Sequence, residues 1–276
     1  MLELDWQGAM RRCAEAQRAL FDADKTIAGR TVYEGVGVGG DNSLALDLRC
    51  EDIVFAELDK LAGEASEGFT AISEERGDVQ YGDPDSPWRV VIDPIDGSLN
   101  TRRTIPWHAL SVAVASGPTM ADVEWGYVFE FGAGEEFVAR RGRGAWLDGE
   151  PLKAQGPGYG MEIVGLESAD PERIAPVMSS LAGRAYRVRV IGSIAITMCF
   201  VAAGRLDAML SARACRSVDA AAAQLIVREA GGVADFTGFG LTGASLDLDA
   251  RYPVLAALDD EMLATVADAQ TRAPSL

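Results

Sequence analysis

Basic residues are scarce in this chain: 25 lysines and arginines stand against 42 aspartates and glutamates, a formal net charge of −17 over 276 residues. That balance argues against a nucleic-acid backbone or an anionic membrane as partner. Long apolar runs are missing too, and none approaches the roughly 20 residues that span a bilayer. The opening MLELDWQGAM lacks a basic n-region and reads as a helix, not a signal peptide. Four cysteines, Cys13, Cys50, Cys199 and Cys215, show no CxxC spacing, so buried free thiols in a reducing cytoplasm are expected. The single histidine, His108, follows Pro106-Trp107 on an apolar strand, where a buried, hydrogen-bonded ring is expected. No Ser/His/Asp nucleophile set stands out, and neither internal repeats nor low-complexity segments occur. What is present is ordinary globular material, 48% hydrophobic and 24% charged, with length for two domains or one large one.

Apolar spacing places the elements. Trp6, Met10, Cys13 and Gln17, followed by Leu20 or Phe21, predict one long amphipathic helix over residues 4–28. In the glycine-rich stretch 29–43, Gly35, Gly37 and Gly40 fit GxGxxG. No apolar strand precedes them and no clear helix start follows, so the stretch reads as a mobile loop, not a dinucleotide fingerprint. Helix 47–63, strand 69–72, a polar turn over 78–87 and strand 90–92 come next. Strands 109–115, 123–131 and 136–139 then follow as antiparallel neighbours, with a short strand at 145–147. Trp125, Tyr127, Phe129 and Phe131 alternate with period two, the pattern of a core-facing sheet surface. Beyond the LDGEP turn at 147–151, strands 162–166, 185–190, 206–210, 233–236 and 254–257 accompany helices 171–181, 193–203, 218–230 and 259–269. The pattern predicts an α+β domain over 1–150 with a mostly antiparallel sheet, and an α/β domain over 151–276.

Acids end or open several of these elements. The run Val90-Val91-Ile92 stops at Asp93-Pro94-Ile95-Asp96-Gly97-Ser98, two carboxylates on a rigid turn beside a glycine. Such a strand end suits a hard cation and a phosphate, and equally an Asp-Pro turn with solvated acids. Glu74 and Glu75 follow strand 69–72, and Asp219 lies in the first turn of helix 218–230, with Ser217 as candidate N-cap and Gly231-Gly232 as the stop. Taken singly, Asp219 reads as a helix-dipole residue and the glutamates as solvated. Mg2+ needs several oxygens, and spacing alone leaves open whether these acids converge.

The segment DPIDGSLN, residues 93–100, resembles the DP(I/L/V)DG(T/S)xN signature of the inositol monophosphatase superfamily, which includes fructose-1,6-bisphosphatases and nucleotide 3′-phosphatases. SVDAAAAQLIVREAGG at 217–232 is similar to that family's second signature. Glu74-Glu75 resembles its GEE or SEE element, and Asp47 the acid opening its second helix. The segments IPWHALSVAV, GYVFEF and RVRVIGSIAITMCFVAAGRLDA look closest to the archaeal-type branch, whose members often act on inositol monophosphates and fructose 1,6-bisphosphate. The resemblance runs through residues 1–270 and implies a layered α-β-α-β-α sandwich.

By that resemblance, Glu74, Asp93 and the Ile95 carbonyl hold a first Mg2+, and Asp93, Asp96 and Asp219 a second, with a weaker third near Glu74. The Ser98 hydroxyl, bonded to Asp47, orients a metal-bound water toward phosphorus. The amides of Gly97 and Ser98 receive phosphate oxygens, and Arg189, Gly192, Ser193 and Arg213 are substrate-side candidates together with Asp96 and Asp219. The chain departs from the family at several positions. Leu44 replaces a Thr three residues before Asp47, Ser98 replaces a frequent Thr, Val218 replaces a frequent Trp, and Ala212 replaces an acid used on an inositol ring hydroxyl. The expectation is a Mg2+-dependent, cytoplasmic phosphomonoesterase for inositol monophosphate or fructose 1,6-bisphosphate. A nucleotide 3′-phosphatase and a non-catalytic sugar-phosphate-binding protein are the alternatives, and a homodimer follows from resemblance only.

Overall fold

The computed structural model describes residues 1–36, 42–168 and 170–273. Gly37 and Gly40 of the GxGxxG match lie outside the described residues. Helix α1 (Trp6–Ala23), short α2 (Ile27–Arg30), strands β1 (Tyr33–Val36) and β2 (Asn42–Leu44) and helix α3 (Ala45–Glu64) come first. Strands β3 (Phe69–Ser73), β4 (Gly77–Tyr81) and β5 (Arg89–Asp96) follow, then α4 (Ser98–Arg102) and β6 (Ala109–Ala115). Strands β7 (Val123–Glu130), β8 (Glu135–Arg140), β9 (Gly144–Leu147) and β10 (Glu150–Pro151) complete the first half. The second half runs β11 (Met161–Glu167), α5 (Pro171–Leu181), β12 (Ala185–Arg189), α6 (Ile194–Ala202), β13 (Ala208–Ser211), β14 (Cys215–Arg216) and α7 (Ser217–Glu229). It closes with β15 (Val233–Phe236), α8 (Gly240–Gly243), β16 (Arg251–Tyr252), β17 (Val254–Ala257) and α9 (Asp260–Gln270).

Three local readings need correction, the first being the glycine-rich loop at 29–43, whose described residues carry the end of α2 and the antiparallel pair β1–β2. The predicted helix 4–28 stops at Ala23, because the Asp24 carboxylate accepts from the Thr26 amide at 2.9 Å and hydroxyl at 2.7 Å, turning the chain. Thr26 then caps α2 through the Gly29 amide, a local side-chain turn that outcompetes continued helix. The predicted polar turn 78–87 begins with a strand instead: β4 pairs antiparallel with β3 from Phe69↔Tyr81 to Ser73↔Gly77. Its alternation, with Val79 and Tyr81 packing inward and Asp78 and Gln80 outward, is the edge-strand pattern.

The main sheet has eight strands in the order β10-β9-β8-β7-β6-β5-β3-β4, antiparallel except for the β3–β5 pair. A second sheet runs β12-β11-β13-β17-β15, parallel through β12, β11 and β13 and antiparallel at β17 and β15. Helices α1 and α3 cover the outer face of the large sheet, where Trp6, Met10, Val54 and Leu58 meet Phe69, Val90, Ile92 and Tyr127. Between the sheets lie α6 and α7, and the outer face of the small sheet carries α5 and α9. The layers therefore stack α-β-α-β-α, as the resemblance implied.

All four cysteines are buried and unpaired. His108 is buried as expected but stacks on Phe131, centroids 5.2 Å apart and planes at 17°, with Phe21 edge-on. Neither ring nitrogen makes a hydrogen bond of good geometry, which corrects that part of the expectation. Among the described residues no helix is long and apolar enough to cross a membrane.

Candidate active site

Three chain segments bring carboxylates toward the same place. The parallel pair β3–β5 aligns Ser73 with Ile92, so Glu74 and Asp93 leave neighbouring strand ends together. Past Asp93 the ladder with β6 slips before Asp96 pairs with Ala109, which turns the second acid out of plain alternation. Asp219 arrives from the first turn of α7, where its Oδ2 accepts from the Arg216 amide at 2.9 Å. Arg216, not Ser217, is therefore the N-cap position. The Ser217 hydroxyl turns away and donates to the Leu246 and Asp247 carbonyls, each at 3.0 Å.

Gly97 follows Asp96 with φ +92°, a left-handed conformation that glycine adopts without strain. A Cβ there would stand 2.8 Å from the Trp107 carbonyl oxygen. Helix α4 opens at Ser98, whose hydroxyl donates to the Ile95 carbonyl at 2.9 Å. The expected Ser98–Asp47 bond is thus replaced by a bond within the turn. Asp47 sits in the first turn of α3 with Oδ1 buried and unbonded, beneath Leu44, an N-cap that offers no side-chain oxygen.

Burial and mutual repulsion dominate the electrostatics. Burial raises Asp93 well above the usual carboxylate range, and Asp96, Asp219 and Glu74 push it further. Asp96 is raised by burial although the Ser193 hydroxyl and Ala195 amide, both 2.6 Å from its Oδ2, oppose the shift. Asp219 is raised by burial and then by Asp96. Asp47 is pushed up to about 7, chiefly by burial and next by Glu75. Among the described residues no three acids close into a ligating cluster. Glu74 is drawn to the Arg216 guanidinium at 2.6 Å, and Asp96 gives Oδ2 to the start of α6. Asp96, Asp219 and Glu74 nevertheless stand near enough to raise Asp93, and Asp96 to raise Asp219, an excess of oxygen donors that fits a hard divalent cation.

The substrate-side candidates divide. Asp96, Gly192 and Ser193 share a cavity of about 490 Å³ with Leu99, Asn100 and Trp107. Arg213 is exposed and lines a separate cavity of about 260 Å³ beside Arg173 and Gln270. Arg189 is exposed at the end of β12, its guanidinium 3.0 Å from the Val188 carbonyl. Two residues that the sequence reading passed over matter here. Arg216 reaches Glu74, and Glu167 ends β11 beside the Ile191–Ser193 turn. Glu167 carried the same signal as Asp93, a carboxylate closing an apolar strand.

This arrangement can be set beside known proteins. The model of the inositol monophosphatase family matches residues 8–272. A fructose-1,6-bisphosphatase/inositol-1-monophosphatase of Thermococcus kodakarensis is 30% identical over 99% of this chain and 100% of its own length. The protein of that description from Methanothermobacter thermautotrophicus is 31% identical, covering 91% of each chain. A solved inositol monophosphatase-fructose 1,6 bisphosphatase superposes with a TM-score of 0.78 at 28% identity, covering 96% of this chain and all of the other. With that match over almost its whole length, the chain belongs to the inositol monophosphatase family and, with it, to the phosphoric monoester hydrolases.

Proposed function

We propose that this chain is a Mg2+-dependent phosphomonoesterase acting on inositol monophosphate, fructose 1,6-bisphosphate or both. The observation that carries the reading is the gathering of four carboxylates, Asp93 and Asp96 buried and Glu74 and Asp219 half-buried, with Asp93 raised by the other three. The relatives named for both activities support the substrate class. Glu74, Asp93, the Ile95 carbonyl, Asp96 and Asp219 would hold two ions, with a third beside Glu74. When bound, such ions supply Lewis-acid stabilisation of charge and an acidified water.

The chain's own groups do the rest. Asp96 is oriented by Ser193 and Ala195. Gly97 turns the backbone so that its own amide and that of Ser98 are offered to phosphate oxygens. Asp47, pushed up to about 7, holds or releases a proton near neutral pH. Ser193 and Gly192 border the alcohol on one side, whereas Arg189 and Arg213 stand outside that cavity.

A homodimer is supported by the family resemblance. Four buried free thiols support a reducing, cytoplasmic location.

Protein stripped of metal should release phosphate from inositol 1-phosphate or fructose 1,6-bisphosphate only when Mg2+ is restored. Asp93→Asn should lower that rate by at least about a hundredfold, and undiminished turnover would refute the assignment. A second reading, a non-catalytic sugar-phosphate binder, draws on Leu44 as a cap without a hydroxyl and on Ser98 bonded away from Asp47. Calorimetric binding of either ester without phosphate release would favour it.

A further inference from the structure

The turn between β12 and α6 is held from two sides. From below, Glu167 at the end of β11 accepts from the Ile191 amide at 3.0 Å through Oε1 and from the Gly192 amide at 2.9 Å through Oε2. The Thr197 hydroxyl stands 2.7 Å from Oε1. Two successive amides converge on one carboxylate because Gly192 has φ +84°, the left-handed step that makes a backbone nest for anions. Here the anion is supplied by the protein itself, and Glu167 is buried. From above, Asn100 of α4 donates to the Ile191 carbonyl at 2.8 Å and the Trp107 carbonyl at 2.7 Å. A Cβ on Gly192 would lie 2.9 Å from the Asn100 amide nitrogen, so the two turns are packed without slack.

What this turn delivers is Ser193 and the first amides of α6. The Ser193 hydroxyl and the Ala195 amide both bond Oδ2 of Asp96. Asp96 stands on β5 and Glu167 on β11 of the other sheet, so the chain of bonds crosses between them.

We propose that Glu167 is a positioning residue for the active site: by filling the Ile191–Gly192 nest it fixes Ser193 and Ala195, and through them the Asp96 carboxylate. This rests on the reading of Asp96 as a Mg2+ ligand. Glu167→Gln keeps the volume but sets an amide NH2 against one of the two backbone donors, so one arm of the nest is lost. Partners that orient ligands are worth about 10- to 100-fold in metal affinity or activity when removed.

The test is a calorimetric titration of metal-free wild type and Glu167→Gln with Mg2+ alone, alongside melting curves and phosphate release. The expected result is Mg2+ binding weaker by about tenfold, with a melting temperature close to wild type. In turnover, kcat should fall further than KM rises. Mg2+ affinity and kcat equal to wild type would overturn the proposal, as would a lower melting temperature with unchanged Mg2+ affinity. If Glu167→Gln does not fold, Thr197→Val removes one contact to the same carboxylate and should weaken Mg2+ binding by about threefold. Unchanged affinity there overturns the proposal as well. Wild type that binds Mg2+ but releases no phosphate would fail the phosphomonoesterase reading, while the two affinities still decide the role of Glu167.

Discussion

Asp96→Asn should make the metal-free protein more stable while removing its function. Asp96 is buried, and burial lifts its carboxyl from 3.8 to about 7 even with two hydrogen bonds to Oδ2. A raised acid contributes its full stability below the unfolded value and loses it as pH rises through the folded value. Holding Asp96 ionised above pH 7 therefore costs up to about 4 kcal/mol, from about three units at 1.36 kcal/mol each. The asparagine is isosteric, never ionises, and keeps an oxygen toward Ser193 and Ala195. In EDTA the variant and wild type should melt together near pH 4 and separate on going to pH 8. At about 2 °C per kcal/mol for a chain of this size, the variant should melt higher by up to about 8 °C. Saturating Mg2+ should invert the order, because wild type gains binding free energy that the variant has lost. Scanning calorimetry at the two pH values, with and without Mg2+, reads all four quantities. A variant that melts below wild type in EDTA by the same margin at both pH values would refute the reasoning.

Two further perturbations probe the surroundings. Burial lowers His108 from 6.5 to about 4, so acidification protonates the unfolded chain first and stability is lost between those values. Urea curves of wild type and His108→Phe should diverge by about 3 kcal/mol between pH 7 and pH 4, with the variant the flatter. Parallel pH dependences would show that His108 is not buried neutral. Gly97→Ala forces a side chain into φ +92° and against the Trp107 carbonyl. It should cost about 1–3 kcal/mol in urea unfolding and reduce phosphate release, and a neutral substitution would mean that the turn relaxes freely.

Elements whose sequence pattern matched their final burial could be read directly. Strands 109–115, 233–236 and 254–257 and helix 171–181 agree residue for residue with the structure; strands 109–115 and 254–257 are buried on both faces and read as continuous apolar runs. The edge strand β4 was legible only in part: Asp78 and Gln80 look like a turn until Val79 and Tyr81 are seen to share a face. Helix α1 ended early through an Asp24–Thr26 side-chain turn, a competition that apolar periodicity does not register. At the site, the acids at element ends were visible as residues, but their approach depends on the β3–β5 register and on where α7 docks. Arg216 on Glu74 joins residues 142 positions apart, a relation no spacing argument reaches. Ser98 bonding Ile95 instead of Asp47 is likewise a choice among nearby acceptors, settled by the geometry of the turn.

Helix α7 has no outside. Ala220, Ala221, Ala222 and Ala223 are all buried, and a Cβ on Gly126 of β7 would fall 2.7 Å from the Ala222 carbonyl. The far side of the same helix faces the small sheet, in one continuous core that runs from Ile72 and Val91 to Val254 and Ala256. Neither sheet can close its interior without this helix, so loosening one strips the other of a wall and the two are expected to melt as one cooperative unit. Asp219 stands at the head of that shared wall. An ion held there is tied to the integrity of both sheets at once, and its binding should act as a clamp on the entire fold and not on a single loop.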